Sequence, residues 1–222
     1  MMLKKQTTAA AKLLDIAGPL FAEQSYDALS TREIADRAEV NLSAISYHFG
    51  GKDGLYRAVF EKIIHDLAFI REFLQKFMDE NLPKATEDVA HQRFMIQTIV
   101  HMIVGSVTDA DNPRWRMQLI MRELQEKGPC FDIVSERHAN IVHEQLSRLT
   151  AVATGHPATS QETRILTHAM IGMCLQFGLN EAFLSSQLGW QNFGPSEIKI
   201  LQERTTENVW ALLGVSPKEK AK

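Results

Sequence analysis

Helical periodicity runs through the whole chain and decides its class before anything else does. Windows rich in Leu, Ile, Met, Ala, Gln and Glu recur, while the alternating Val/Thr/Tyr stretches that build strands are missing. Such a chain must satisfy its backbone within helices and bury their apolar stripes against one another, so the expected fold is all-α. At 222 residues it can bury a sizeable core, as one domain or two. There is no internal repeat and no low-complexity tract.

Punctuation divides the pattern. A first helix is predicted over about Thr7–Gln24, where Ala10, Leu13, Leu14, Ala17 and Phe21 make one apolar stripe; Gly18-Pro19 inside it should kink the helix without breaking it. A short helix follows with a capping box, Ser30 as N-cap and Glu33 three residues on, ending near Ala38. After the turn Glu39-Val40-Asn41, Asn41 should cap a third helix, Leu42 to Phe49, which Gly50-Gly51 stops. Longer helices are then predicted over Lys52–Asp79, Glu87–Thr108, Arg114–Lys127, Phe131–Thr154, Gln161–Gln187 and Pro195–Leu213. The breaks between them are Asn81-Leu82-Pro83, Asp109 to Pro113, Gly128-Pro129, Gly155-His156-Pro157 and Gly189 to Gly194.

Composition narrows the function classes. With 45% hydrophobic and 23% charged residues the chain is neither disordered nor fibrous. No apolar run approaches the roughly 20 residues of a membrane span, and the amino terminus does not read as a signal peptide, so a cytoplasmic protein without membrane partners is expected. Cys130 and Cys174 fit reduced buried thiols, with a disulfide left open. The net charge of −3 argues mildly against nucleic acid, and residues 1–60 are neutral, with seven Lys/Arg and seven Asp/Glu. Any DNA footprint must therefore come from a few placed residues and not from a basic stripe.

Three short helices within fifty residues supply that possibility. The second and third are joined by a three- or four-residue turn, with apolar positions at Ile34, Ala35, Ala38, Val40, Ile45 and Phe49, the arrangement of a helix-turn-helix. The run from Leu29 to Asn41, then Ile45-Ser46-Tyr47-His48-Phe49-Gly50-Gly51-Lys52-Asp53-Gly54-Leu55, preceded by Leu20-Phe21-Ala22-Glu23-Gln24-Ser25-Tyr26, resembles the TetR/AcrR DNA-binding signature over about fifty residues. Ser25 and Glu39 stand where the family usually has Gly, and Ser46 where it usually has Tyr. Glu39 suggests a less strained turn, and Ser46-Tyr47 a redistributed aromatic phosphate contact.

The resemblance implies an amino-terminal DNA-binding domain at 1–55, a helical regulatory and dimerisation domain at 56–215, and a frayed tail at 216–222. It implies that Leu42, Ser43 and Ala44 face base edges, and that Ser46, Tyr47 and His48 belong to the DNA-facing helix, with Tyr47 and His48 at the backbone. It places Lys52 on a phosphate at a helix N-terminus, with Arg32 and Thr31 reaching from the supporting helix. The same residues have plainer readings: Tyr47 as a half-buried packing residue, His48 as a surface histidine, Lys52-Asp53 as solvated charge.

The Gln161–Gln187 segment is apolar on nearly all faces and needs cover on more than one side. Packing it and the last helix against a second copy, through Ile171, Ile198, Leu201, Thr205 and Leu212, would make the four-helix dimer interface of TetR-type proteins; an internal core helix in a monomer is the alternative. The stretch Trp190 to Glu197 with the helix before it resembles the CecR-type branch of the family. Met102, Met117, Met121, His168 and Phe177 are candidates to line a pocket for an unknown small-molecule effector, or else are ordinary core. No cofactor or metal motif is present.

An enzyme is the first competing reading. It finds no Gly-rich phosphate loop, no Gly-x-Ser-x-Gly elbow and no His-Glu-x-x-His pair, and His138 and His143 are five apart, off a common helical face. A helical adaptor that does not bind DNA is the second, supported only by the acidic balance. The favoured expectation is a homodimeric, ligand-responsive repressor released from operator DNA when effector tilts the helix Lys52–Asp79.

Overall fold

The computed structural model describes residues 8–109 and 112–217. The expected helix start at Thr7, the Ala110-Asp111 part of one break, and the tail beyond Pro217 lie outside the described residues. Among those residues the chain forms helices and no strand. The first half comprises α1 (Ala9–Glu23), α2 (Thr31–Arg37), α3 (Ser43–Phe49), α4 (Lys52–Asp66), α5 (Ala68–Ala85) and α6 (Val89–Thr108). It is followed by α7 (Arg114–Glu126), α8 (Phe131–Val134), a π-helical turn at Ser135–Ala139, α9 (Asn140–Thr154), α10 (Gln161–Leu179), α11 (Glu181–Leu188) and α12 (Pro195–Leu212). No described helix is long and apolar enough to cross a membrane. Two compact units result: Met1–Ala68 with Trp115–His138, and Phe69–Arg114 with Ala139–Lys222.

In the first unit α1, α2 and α3 pack together and α1 and α3 lean on α4. Leu13, Phe21, Leu29, Ile34, Ile45, Leu55, Phe60 and Ile63 are its buried core, each large side chain stabilising by about 1.5–3 kcal/mol through area removed from water. The local chemistry read from the sequence forms these helices. Thr8 caps α1, its hydroxyl accepting from the Ala11 amide at 3.3 Å, and α1 runs unbroken through Pro19. Ser30 caps α2 by accepting from the Glu33 amide at 3.1 Å. Glu33 does not complete the box, because its carboxylate instead accepts from Gln24 Nε2 at 3.1 Å.

Two distant helices complete this unit. From α7, Arg122 donates to the carbonyls of Phe21 and Ala22 at 2.7 Å and of Gln24 at 3.1 Å, closing the carboxyl end of α1. The buried Glu123 carboxylate accepts from the Tyr56 hydroxyl at 2.5 Å and the Cys130 amide at 2.8 Å, tying α4 to the start of α8. Burial and the Glu123 bond raise the Tyr56 pKa, keeping its hydroxyl a donor.

In the second unit α6 lies at the centre, with α9, α10 and α12 packed on it. Its core joins Met95, Ile96, Ile99 and Val104 to Leu146, Leu149, Met170, Cys174 and Val209. The hydroxyls of Ser147, Thr150 and Thr167 bond across α9 and α10 at 3.0–3.2 Å, so this polar seam is satisfied. Both cysteines are free and buried, one in each unit, and burial raises each thiol to about 12, where it is inert.

Three expected helices are corrected. Lys52–Asp79 is two helices, α4 and α5, separated at Leu67 (φ −87°, ψ 4°), and α5 runs through the expected break Asn81-Leu82-Pro83 to Ala85. Leu67 packs against the first unit's core, and Asp66 just before it is held by Lys62 at 3.1 Å and Arg116 at 2.9 Å, so tertiary contacts end α4 where no Gly or Pro marks a stop. Gln161–Gln187 divides at Asn180 into α10 and α11. Phe131–Thr154 is helical throughout but carries the π turn, and the chain passes from one unit to the other at its residues 138 and 139.

Candidate nucleic-acid interface

The turn between α2 and α3 is built from local bonds. Ala38 ends α2, Val40 N–H donates to the Ala35 carbonyl at 3.1 Å, and Glu39 sits at φ +53°, in the left-handed region. The sequence reading of a less strained turn is thus corrected: the turn keeps left-handed geometry with a side chain that opposes it. Asn41 lies one residue further out than a formal N-cap, yet its Oδ1 accepts from both the Ser43 amide and the Ser43 hydroxyl at 2.9 Å.

Ile34, Ala35, Ala38 and Ile45 are buried, which fixes the rotation of α2 and α3. Leu42, Ser43, Ser46 and Tyr47 consequently share one outward face, at helical offsets 0, 1, 4 and 5. Tyr47 is 85% exposed, so the packing reading does not hold for it. The exposed His48 meets its ring edge-on at 4.8 Å. Ala44 is the exception among the expected base-facing residues. It is half-buried, packed against the first unit's core. On α2, Arg32 is exposed and Thr31 half-buried.

Behind α3, Gly50 (φ +74°) ends the helix and α4 starts at Lys52. A β-carbon on Gly54 would collide with the Phe49 carbonyl oxygen, so glycine is what lets the first turn of α4 approach the end of α3. The Lys52 ammonium lies 4.5 Å from the centroid of the Tyr26 ring, and the Tyr26 hydroxyl donates to Asp53. Burial first, then the Asp53 bond, pushes the Tyr26 pKa up to about 12. The sequence reading missed Tyr26 as a neighbour of Lys52, since nothing in local spacing links residues so far apart. The charge here is mixed: Arg37 is paired with Glu33 at 3.8 Å, and Asp36 and Glu39 are exposed.

The expected pocket residues do not gather within one unit. Met117 and Met121 lie on α7 in the first unit, while Met102, His168 and Phe177 lie in the second. His168 is exposed, with its ring 6.2 Å from that of His143. Burial, then His168 and Arg164, lower the His143 pKa. An open groove of about 660 Å³ runs along α5, lined by Arg71, Glu72, Gln75, Asp79 and Ile141, and includes none of the five. Among the described residues no cluster of three or more His, Cys, Asp or Glu is arranged to hold a metal ion.

The expected dimer residues divide as well. Leu201 is 6% and Thr205 3% exposed inside the second unit, and the Thr205 hydroxyl donates to the Leu201 carbonyl at 2.6 Å; both are withdrawn from a partner by their burial. Ile171, Ile198 and Leu212 are half-buried against the same core. The outward apolar residues of α10, α11 and α12 are others: Ile165 and Phe183, each 67% exposed, with Leu179, Leu188 and Ile200.

Residues 13–59 match the family described as bacterial regulatory proteins, tetR family. Residues 92–215 match the C-terminal domain of the HTH-type transcriptional dual regulator CecR. The chain is 28% identical over 215 residues to the dual regulator CecR of Shigella flexneri, covering 96% of this chain and 94% of that one. Its fold is similar to Mycobacterium smegmatis AmtR (TM-score 0.56, 17% identity, 96% of each chain). It is also similar to AibR, solved with isovaleryl coenzyme A and operator DNA (TM-score 0.53, 15% identity, 91% of this chain and 98% of that one).

Proposed function

The chain belongs to the TetR family of bacterial regulatory proteins, with a C-terminal domain of the CecR type, and from that premise we propose a cytoplasmic, homodimeric repressor that a small molecule releases from its operator. The observation that carries the DNA-binding part is the outward face of α3, where Leu42, Ser43, Ser46 and Tyr47 are presented while Ile45 anchors the helix from behind. On this reading Leu42 and Ser43 meet base edges, Tyr47 and His48 meet the sugar-phosphate backbone, and Lys52, Arg32 and Thr31 meet phosphates. With little net charge in the reader, binding depends on these few contacts.

Homodimerisation presents two such faces to successive major grooves. The exposed apolar residues of α10, α11 and α12 are the proposed dimer surface. Effector binding belongs to the region of the CecR-type match, residues 92–215, a reading supported also by AibR, whose fold is similar and which was solved with both kinds of ligand. Release would follow if effector changed the spacing of the two recognition helices. Block of polymerase by a bound dimer needs no further contact, which favours repression.

Selection of bound fragments from genomic DNA by the purified full-length protein tests the proposal. The expected product is a two-fold symmetric site overlapping a promoter, bound with an affinity that falls steeply with salt. Recovery of no enriched sequence, with no mobility shift at low salt, would overturn it.

A further inference from the structure

We infer that Tyr26 is a positioning residue for the DNA contact of Lys52: its ring seats the ammonium at the rim of the reader while its hydroxyl takes the Asp53 carboxylate as its partner, so that Lys52 is not drawn into a direct ion pair with it. The inference rests on the phosphate-binding reading of Lys52 given above. Lys52 and Asp53 are consecutive residues in the first turn of α4. An acid there is favoured by the helix dipole, but beside a phosphate-binding lysine it would draw the ammonium to itself and repel the DNA backbone. Tyr26 stands in the segment between α1 and α2 and resolves the conflict.

Its ring is held from behind by Phe21, stacked at 6.1 Å between centroids, and by Tyr56, edge-on at 4.9 Å. The Lys52 ammonium lies 4.5 Å from the ring centroid, and the hydroxyl turns to Asp53. A half-exposed cation–π contact is weak enough to be exchanged for a phosphate oxygen, so it steers the ammonium without trapping it. The hydroxyl also remains a protonated donor at any physiological pH, its pKa being pushed up to about 12.

The test uses the full-length protein and the operator duplex recovered by selection, titrated across potassium chloride concentrations. Lys52→Ala should reduce the slope of log affinity against log salt by about 0.9 per subunit. Tyr26→Phe, which keeps the ring but frees Asp53, should reduce the slope toward that of Lys52→Ala. The double variant Tyr26→Phe/Asp53→Asn should regain the wild-type slope, a rescue that simple loss of packing would not give. In the free protein, NMR should show the Lys52 ammonium resonance displaced in Tyr26→Phe and returned toward its wild-type position by adding Asp53→Asn, a reading independent of DNA. A wild-type slope and an unshifted Lys52 in Tyr26→Phe, with Lys52→Ala lowered as expected, overturn the positioning role alone. An unchanged slope in Lys52→Ala removes the phosphate contact itself and the positioning role with it.

Discussion

Glu39 holds a left-handed backbone, φ +53°, in the turn that sets the recognition helix against its support. A β-carbon in that region clashes with the neighbouring carbonyl and costs about 1–2 kcal/mol. The turn is held there because Glu39 N–H donates to the Asp36 carbonyl at 3.2 Å and Val40 N–H to that of Ala35 at 3.1 Å. Glu39→Gly should therefore stabilise the reader by about 0.5–1 kcal/mol, the gain being trimmed by the added freedom of glycine in the unfolded chain. Hydrogen exchange of the α2 and α3 amides should slow about two- to five-fold in conditions where exchange follows the opening equilibrium. Exchange at the wild-type rate or faster would show that Glu39 carries no such cost.

At the scale of elements, Arg122 on α7 does for α1 what α1 cannot do for itself. The last turn of α1 has no basic residue, and Arg122 supplies three donors to the Phe21, Ala22 and Gln24 carbonyls. Arg122→Gln keeps some length but loses the charge and the fork, and should destabilise the first unit by about 2 kcal/mol. Thermal unfolding followed by Trp115 fluorescence in a Trp190→Phe/Trp210→Phe background, where the remaining tryptophan lies in that unit, should show the lower midpoint; an unchanged midpoint would contradict the clamp. This bond also shows where sequence reading stops. Ser30, Asn41 and Gly50 act on residues within four positions of themselves, so the places of α2, the turn and α3 are legible, though not the left-handed backbone at Glu39; the DNA-facing residues come only from the family resemblance. Arg122 and Gln24 are 98 residues apart, and the stop at Leu67 depends on Arg116 reaching Asp66 across 50, so neither leaves a local signal. The half-burial of Ala44 is not legible, because the family signature gives residue types at the start of α3 but not the rotation that turns one of them partly inward. Leu201 and Thr205 were misplaced because periodicity identifies an apolar stripe without saying which neighbour covers it.

For the whole molecule, the proposed homodimer turns on which stripe of the second unit would meet another copy. Leu201 and Thr205 already face the unit's own core, whereas Ile165, Leu179 and Phe183 remain exposed along α10 and α11, with Ile200 on α12. Exposed apolar residues in such a run mark an interaction surface, and a two-fold related copy would offer the same residues in return. A carboxylate placed there is solvated in a monomer but desolvated and opposed by its symmetry mate in a dimer. The double variant Ile165→Glu/Phe183→Glu should therefore sediment as a monomer with its helical content intact, while Leu201→Glu should unfold the unit by burying a charge. Operator affinity of the monomeric variant should fall by at least ten-fold, because each copy then binds one half-site without the second held nearby. A double variant that remains dimeric and binds operator as tightly as the wild type would move the interface elsewhere on the unit.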